Sequence, residues 1–373
     1  MIQRIKRRQL IRFGGVAAGL GLVAVARQWL SSSSQLADSS ASAAPAPPGW
    51  FAPPRQDVRL AVISDLNSAY GSTDYKPPVD AGIALIPEWE PDLVLCGGDM
   101  VAAQSLSLSR SQVEAMWQGF DRQIATPLRR ANLPMGFAIG NHDGSGALNE
   151  NGEYIFKTDR EVAAAYWQQP EHEPSLNFID RAAFPFYYTF QHRDIFILVC
   201  DASTARILPQ QWRWIERSLA SSQAQSAPLR LAMGHLPLYA ISQGRNKPGE
   251  VLNRGDRLRS LLERYNVHTY ISGHHHAYFP GRRGRLELLH AGALGSGPRQ
   301  LLAGNTLPRH TLTIVDIDLA TPSTRYTTYD MKILEAIDDR QLPRAISGAN
   351  GWVLRRDLTW EDLSDEEQMA LRG

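Results

Sequence analysis

Cysteine is nearly absent from this chain, with only Cys96 and Cys200 among 373 residues. Each closes an apolar run, LVLC and FILVC, and neither has a partner at C-x-x-C spacing. Thiolate metal binding is therefore disfavoured, and two buried thiols are expected. Whether they pair is open at this level. Excess charge of one sign is also missing. There are 39 basic and 38 acidic residues, a net charge of +1, which argues against a generally basic surface for nucleic acid. No apolar run reaches the length that spans a bilayer: the best candidate, from Phe13 to Ala26, is short and contains four glycines. No internal repeat is visible.

What is present begins at the N-terminus. Lys6-Arg7-Arg8-Gln9-Leu10-Ile11 precedes that glycine-rich apolar run, the layout of a signal peptide. The paired arginines followed by Leu-Ile resemble a twin-arginine export signal. Ala24-Val25-Ala26 and Ala41-Ser42-Ala43 are small-residue sites suited to cleavage. The chain thus divides into a signal segment (1–30), a Ser/Ala/Pro-rich spacer (31–55), a catalytic domain (56–320) and a C-terminal extension packed on it (321–373). A periplasmic or extracellular location follows, reached through export machinery that reads the signal. No stable membrane span remains after processing; an uncleaved signal would instead act as an anchor.

From Val58 onward, strand-like and helix-like segments alternate. Apolar runs at 58–64, 93–96, 135–139, 229–233 and 267–271 have strand length, and 79–89, 109–130, 159–168 and 209–220 read as helices. Ser109 is a candidate N-cap for the long second helix. In the helix at 209–220, Trp212, Ile215 and Leu219 share one face. The pair 186–190 and 195–200 reads as a hairpin turning at His192-Arg193-Asp194. Beyond 286 the expected strands, 286–290 and 311–317, come without helices between them. Ser364-Asp365-Glu366-Glu367 is a capping-box pattern for a last short helix. Pattern alone supports an α/β or α+β fold.

Five polar motifs follow the strand-like runs in order: Ser64-Asp65-Leu66-Asn67, Gly97-Gly98-Asp99, Gly140-Asn141-His142-Asp143, Gly234-His235 and Gly273-His274-His275-His276. Asp, Asn and His at strand ends are hard-oxygen and imidazole donors on rigid supports, which a two-metal hydrolytic site requires. The ordered set resembles the calcineurin-like metallophosphoesterases, whose blocks read D-x-H, G-D, G-N-H-D/E, G-H and G-H-x-H. Four blocks match. The first departs, with Asn67 where the family usually has histidine.

The resemblance implies a four-layer αββα sandwich, two mixed β-sheets flanked by helices. It also implies two divalent or mixed-valence transition-metal ions, drawn from iron, manganese and zinc. Asp65, Asn67 and His276 would hold the first metal, Asp99 would bridge, and Asn141, His235 and His274 would complete the second. Asn67 carries a neutral carboxamide oxygen, a weaker donor than imidazole, so the first metal would be held loosely. His142 corresponds to the family's catalytic histidine, which assists the leaving group without binding metal. Asp143 would either orient that imidazole or cap the loop. His275, alternating with its neighbours, should point away.

The implied reaction is hydrolysis of a small phosphate-ester substrate by in-line attack of a hydroxide held between the ions. Purple acid phosphatases in the family carry a tyrosine three residues after the bridging aspartate. Here that position is Ala102, which disfavours a purple charge-transfer site. The loops 68–78, 144–157 and 240–253 should frame the substrate, with Tyr70, Tyr75, Tyr154, Arg245 and Lys247 as candidate contacts. The alternatives are a phosphodiesterase or nuclease of the same fold, and a non-catalytic metal- or phosphate-binding homologue.

Overall fold

The computed structural model describes residues 52–372. The expected signal segment and nearly all of the spacer lie outside the described residues. β1 (Val58–Ile63) leads through α1 (Pro77–Glu88) to β2 (Leu93–Cys96). Next come α2 (Arg110–Phe120), a π-helical turn over Asp121–Ala125, α3 (Thr126–Arg130) and β3 (Met135–Phe137). After α4 (Asn141–Gly144) and α5 (Lys157–Trp167) the chain forms β4 (Asn177–Ala183), β5 (Tyr187–His192) and β6 (Ile195–Val199). Then follow α6 (Pro209–Leu219), α7 (Ser222–Ser226), β7 (Leu229–Met233), α8 (Gly255–Arg264) and β8 (Thr269–Ser272). The remaining strands are β9 (Tyr278–Arg283), β10 (Leu286–Ala291), β11 (Thr311–Asp318), β12 (Ser323–Asp330), β13 (Glu335–Ala336), β14 (Ala345–Gly348) and β15 (Gly351–Arg355). α9 (Asp365–Arg372) ends the described chain.

These strands make two mixed sheets, ordered β13-β12-β11-β1-β2-β3 and β14-β15-β9-β10-β8-β7-β6-β5-β4. β1, β2 and β3 run parallel, as do β6, β7, β8 and β10. β1 is buried along its whole length, as a strand covered on both faces must be. The sheets meet closely where the Tyr188 hydroxyl on β5 bonds both the N–H and the carbonyl of Phe137 on β3, at 2.9 and 2.7 Å. Gly136 permits that approach, because a Cβ there would lie 2.7 Å from the Phe190 ring. The architecture is the expected α/β one, with two mixed sheets and flanking helices.

Several elements differ from expectation. The long helix at 109–130 starts as expected, with a Ser109–Gln112 capping box, but widens into a π turn before Pro127. Proline has no N–H for the regular ladder, and a wider turn accommodates that loss. On α6 the buried aromatic is Trp214, whose indole N–H donates to Asp180 at 2.9 Å. Trp212 is only half-buried and lies under the Arg257 guanidinium. Within residues 321–372, β12 pairs with β11, and β14–β15 extend the second sheet through β9. Cys96 and Cys200 are both buried and free.

Parallel strands deliver their C-terminal ends to one edge. In the first sheet these are the ends of β1, β2 and β3, and in the second those of β7, β8 and β10. The motifs occupy the loops that leave those ends, where open α/β sheets form their crevices. Among the described residues, no helix is long and apolar enough to cross a membrane.

Candidate metal centre

Asp65 and Asp99 sit in the turns leaving β1 and β2, and His274 and His276 in the turn leaving β8. All four have positive φ, at 52°, 57°, 63° and 51°. Non-glycine residues adopt this region at a cost, and they hold it only where the surroundings impose it. Here the turns impose it on one another. The Asp65 N–H donates to the Gly98 carbonyl at 2.9 Å, and the N–H groups of Leu66 and Asn67 donate to the Asp99 carbonyl at 2.9 and 3.1 Å. The His274 N–H reaches both Asp65 carboxylate oxygens at 3.1 Å.

Two sets of potential ligand atoms result, each within 4.8 Å: Asp99, His235 and His274, and Asp65, Asp99 and His276. Asp99 belongs to both, the position of a bridging carboxylate. His235 Nδ1 donates to the Gly97 carbonyl at 2.8 Å, leaving Nε2 3.0 Å from Asn141 Oδ1 and 3.2 Å from Asp99 Oδ2. His276 Nδ1 donates to the Gly297 carbonyl at 2.9 Å, and its Nε2 faces Asp65 Oδ1 at 3.2 Å. Backbone carbonyls thus fix both tautomers and turn the other ring nitrogen inward.

Two observations test whether this donor set suits a metal. His274 Nδ1 and His276 Nε2 are buried without a hydrogen-bond partner, as nitrogens kept for a cation would be. The carboxylates are also kept ionised. Burial would raise Asp99, but the charges and hydrogen bonds of His235 and His142 outweigh it and hold it well below the usual carboxylate range. Asp65 is likewise lowered against its burial, chiefly by His276. His235 is opposed by its burial yet pushed up to about 9 by Asp99, whose negative charge a divalent cation would also find. His274 is brought down to about 4, mainly by desolvation, which favours the neutral imidazole, the form in which histidine can coordinate a metal. The residues fit two ions sharing Asp99.

Asn67 is buried beside the first set, and the Ser296 hydroxyl bonds its carboxamide oxygen. That oxygen already has a donor, so it offers a metal less than a free histidine nitrogen would. Asn141 turns its oxygen toward His235, and its amide donates to Gln104 at 2.6 Å.

His142 lies at the rim, with its Nδ1 3.2 Å from the Ala103 carbonyl and its Nε2 3.9 Å from Asp99 Oδ2. The Tyr70 ring lies 5.1 Å from its ring. Of the two readings of Asp143, the structure corrects the one as a holder of this imidazole and shows the capping one. Its carboxylate instead accepts the N–H groups of Asp99 and Gly140 at 2.8 Å and of Val101 at 2.9 Å. It ties the β2 and β3 turns together. Burial and the Asp99 charge push it up to about 7, against the pull of those backbone donors.

The framing loops behave unequally. Tyr75 turns inward and donates to the Met100 carbonyl at 2.8 Å, and Tyr154 lies against the Arg160 guanidinium, 4.4 Å away. The loop at 240–253 contributes a residue that no sequence pattern marked. Glu250 accepts from His274 Nε2 at 2.9 Å and also from Arg245, while Lys247 stands 3.7 Å off. A single acid in a loop whose other polar residues form no pattern carries no motif, so only the fold reveals it. His275 points away from the metal set, as its alternation predicts. Its Nδ1 accepts the Ile241 N–H at 3.2 Å, and its Nε2 donates to the Glu250 carbonyl at 3.0 Å.

The profile of the calcineurin-like phosphoesterases matches residues 58–278, more than half of the chain. The chain belongs to that family. It is similar to purple acid phosphatase 15 of Arabidopsis thaliana, at 24% identity over 235 residues, covering 59% of this chain and 40% of that protein. An acid phosphatase of Aspergillus ficuum is 30% identical over 69 residues, 18% of this chain and 11% of that protein. The chain therefore spans less than half the length of these curated relatives. Among solved structures, the purple acid phosphatase PPD1 of yellow lupin (Lupinus luteus) superposes with a TM-score of 0.53 at 16% identity. That match covers 75% of this chain and 52% of the lupin chain. It supports the shared fold and no more.

Proposed function

We propose that this member of the calcineurin-like phosphoesterases is a metal-dependent phosphatase that hydrolyses small phosphate esters. The observation that carries the reading is the pair of ligand sets sharing Asp99, with two buried imidazole nitrogens left unpartnered between the strand ends. Two bound ions would supply an activated water for in-line attack and neutralise the non-bridging phosphate oxygens. Asp65, Asp99 and His276, with Asn67 as a weak fourth donor, would hold one ion. Asp99, Asn141, His235 and His274 would hold the other.

The remaining work falls to the chain itself. His142, fixed through Nδ1 to the Ala103 carbonyl, presents Nε2 toward the space beside Asp99. A proton on that nitrogen would pass to the departing alkoxide. Arg245, held by Glu250 beside His274, is placed to take an oxygen of a dianionic terminal phosphate. This favours a monoester over a diester, in keeping with the phosphatase relatives. Export belongs to the same proposal and rests on the Lys6-Arg7-Arg8 segment and the apolar run after it. N-terminal sequencing of protein recovered outside the cytoplasm tests it.

The functional test is turnover of p-nitrophenyl phosphate and bis-p-nitrophenyl phosphate by protein reconstituted with Mn²⁺ or Zn²⁺. The reading expects metal-dependent cleavage with the monoester preferred. Preferential cleavage of the diester would move the function to phosphodiesterase. Loss of neither ester, with metal bound, would support the binding-protein alternative.

A further inference from the structure

We infer that Glu250 is a positioning residue that fixes the tautomer of His274 and so tunes the metal site shared by Asp99, His235 and His274. The inference rests on the metal-dependent reading above. The Glu250 carboxylate accepts from the Arg245 guanidinium on one side and faces the His274 ring on the other. Oxygen Oε2 lies 2.9 Å from His274 Nε2, so that nitrogen must carry the proton. A neutral imidazole has one proton, which leaves Nδ1 as a bare lone pair. Nδ1 is the buried nitrogen with no hydrogen-bond partner. A carboxylate behind a ligating imidazole orients the ring and raises its basicity.

Glu250 is itself held in place. His275, next to His274, anchors the loop at both ends through the Ile241 N–H and the Glu250 carbonyl, and the Ser242 hydroxyl donates to the His275 carbonyl at 2.8 Å. Consecutive histidines therefore take the backbone and the side chain of the same glutamate. His235 and His276 use backbone carbonyls for the equivalent task. His274 alone among these three imidazoles uses a carboxylate, so its donor strength depends on a side chain that can be replaced.

The test is Zn²⁺ affinity by competition with a chelator of known strength, measured on the full chain together with its melting temperature. Glu250→Ala is expected to weaken the tighter Zn²⁺ constant by about 10–100-fold. Glu250→Gln, which keeps an acceptor oxygen, should recover part of that loss. Ser242→Ala removes an anchor of the same loop without touching the Glu250 carboxylate or the His274 ring, and should leave the constant within about twofold of the parent. Wild-type affinity in Glu250→Ala would overturn the inference, as would an equal loss in Ser242→Ala. Failure of the functional reading looks different: the parent protein would bind Zn²⁺ and respond to Glu250→Ala, yet cleave no phosphate ester.

Discussion

Asp143→Ala removes one acceptor shared by three backbone donors, the N–H groups of Asp99, Gly140 and Val101. The residue has 0% exposure, so bulk water cannot replace it. Each buried donor left unmet costs about 1–3 kcal/mol, so three set an upper range of about 3–9 kcal/mol. A water entering the vacated polar space would recover part of this, giving an expected destabilisation of about 3–6 kcal/mol. At about 2–3 °C per kcal/mol for a domain of this size, the melting temperature should fall by about 6–18 °C. Asp143→Asn keeps one acceptor oxygen but sets an amide NH₂ against a backbone donor, and should fall between. Thermal melts of metal-free protein, with turnover measured where every variant is folded, provide the assay. An Asp143→Ala protein that melts within about 2 °C of the parent yet loses most of its turnover would refute the reasoning. The side chain would then act in the chemistry and not in the turns.

Three further outcomes follow. His142→Ala should lower turnover by about 10²–10⁴-fold with metal content unchanged, whereas His274→Ala should lose metal and activity together; elemental analysis beside kinetics separates the two. Asn67→His should tighten the weaker metal constant by chelator competition, because imidazole replaces an oxygen already engaged by Ser296; an unchanged constant would mean that the side chain does not face the ion. His235 has a folded pKa of about 9 against an ordinary 6.5. In metal-free protein its stabilising contribution is therefore full below pH 6.5 and lost as pH rises through 9. Metal must displace that proton, so affinity for the Asp99–His235–His274 site should rise about tenfold per pH unit up to about 9. A flat profile across that window would contradict the assignment.

The candidate metal-binding residues were legible in the sequence because each follows a strand of apolar residues, and a strand end is a fixed place. Asp65, Asp99, His235, His274 and His276 come together in space from blocks up to about 210 residues apart. Asp143 was harder. Its neighbour His142 suggests an orienting partner, but backbone donors from two other turns claimed the carboxylate first. Glu250 and Ser296 carry no local pattern, since their roles are set by which loop folds over which turn. Some missed elements did carry a signal. Ala349-Asn350 is the two-residue turn between β14 and β15, and the Asn350-Gly351 pair there is a hairpin signal in sequence terms. In α8, Leu258, Leu261 and Leu262 lie at helical spacing and are buried. The extension beyond 320 looked peripheral because β12 is mostly polar and β13 and β14 are short, yet backbone pairing places its strands in both sheets.

Metal stoichiometry tests the central claim most directly. Protein stripped of metal, reconstituted with excess Mn²⁺ or Zn²⁺ and freed of unbound ions should hold two ions per chain, with phosphomonoester turnover rising as they load. A folded chain that binds no divalent ion, or that binds two and gains no hydrolytic activity, would contradict the account.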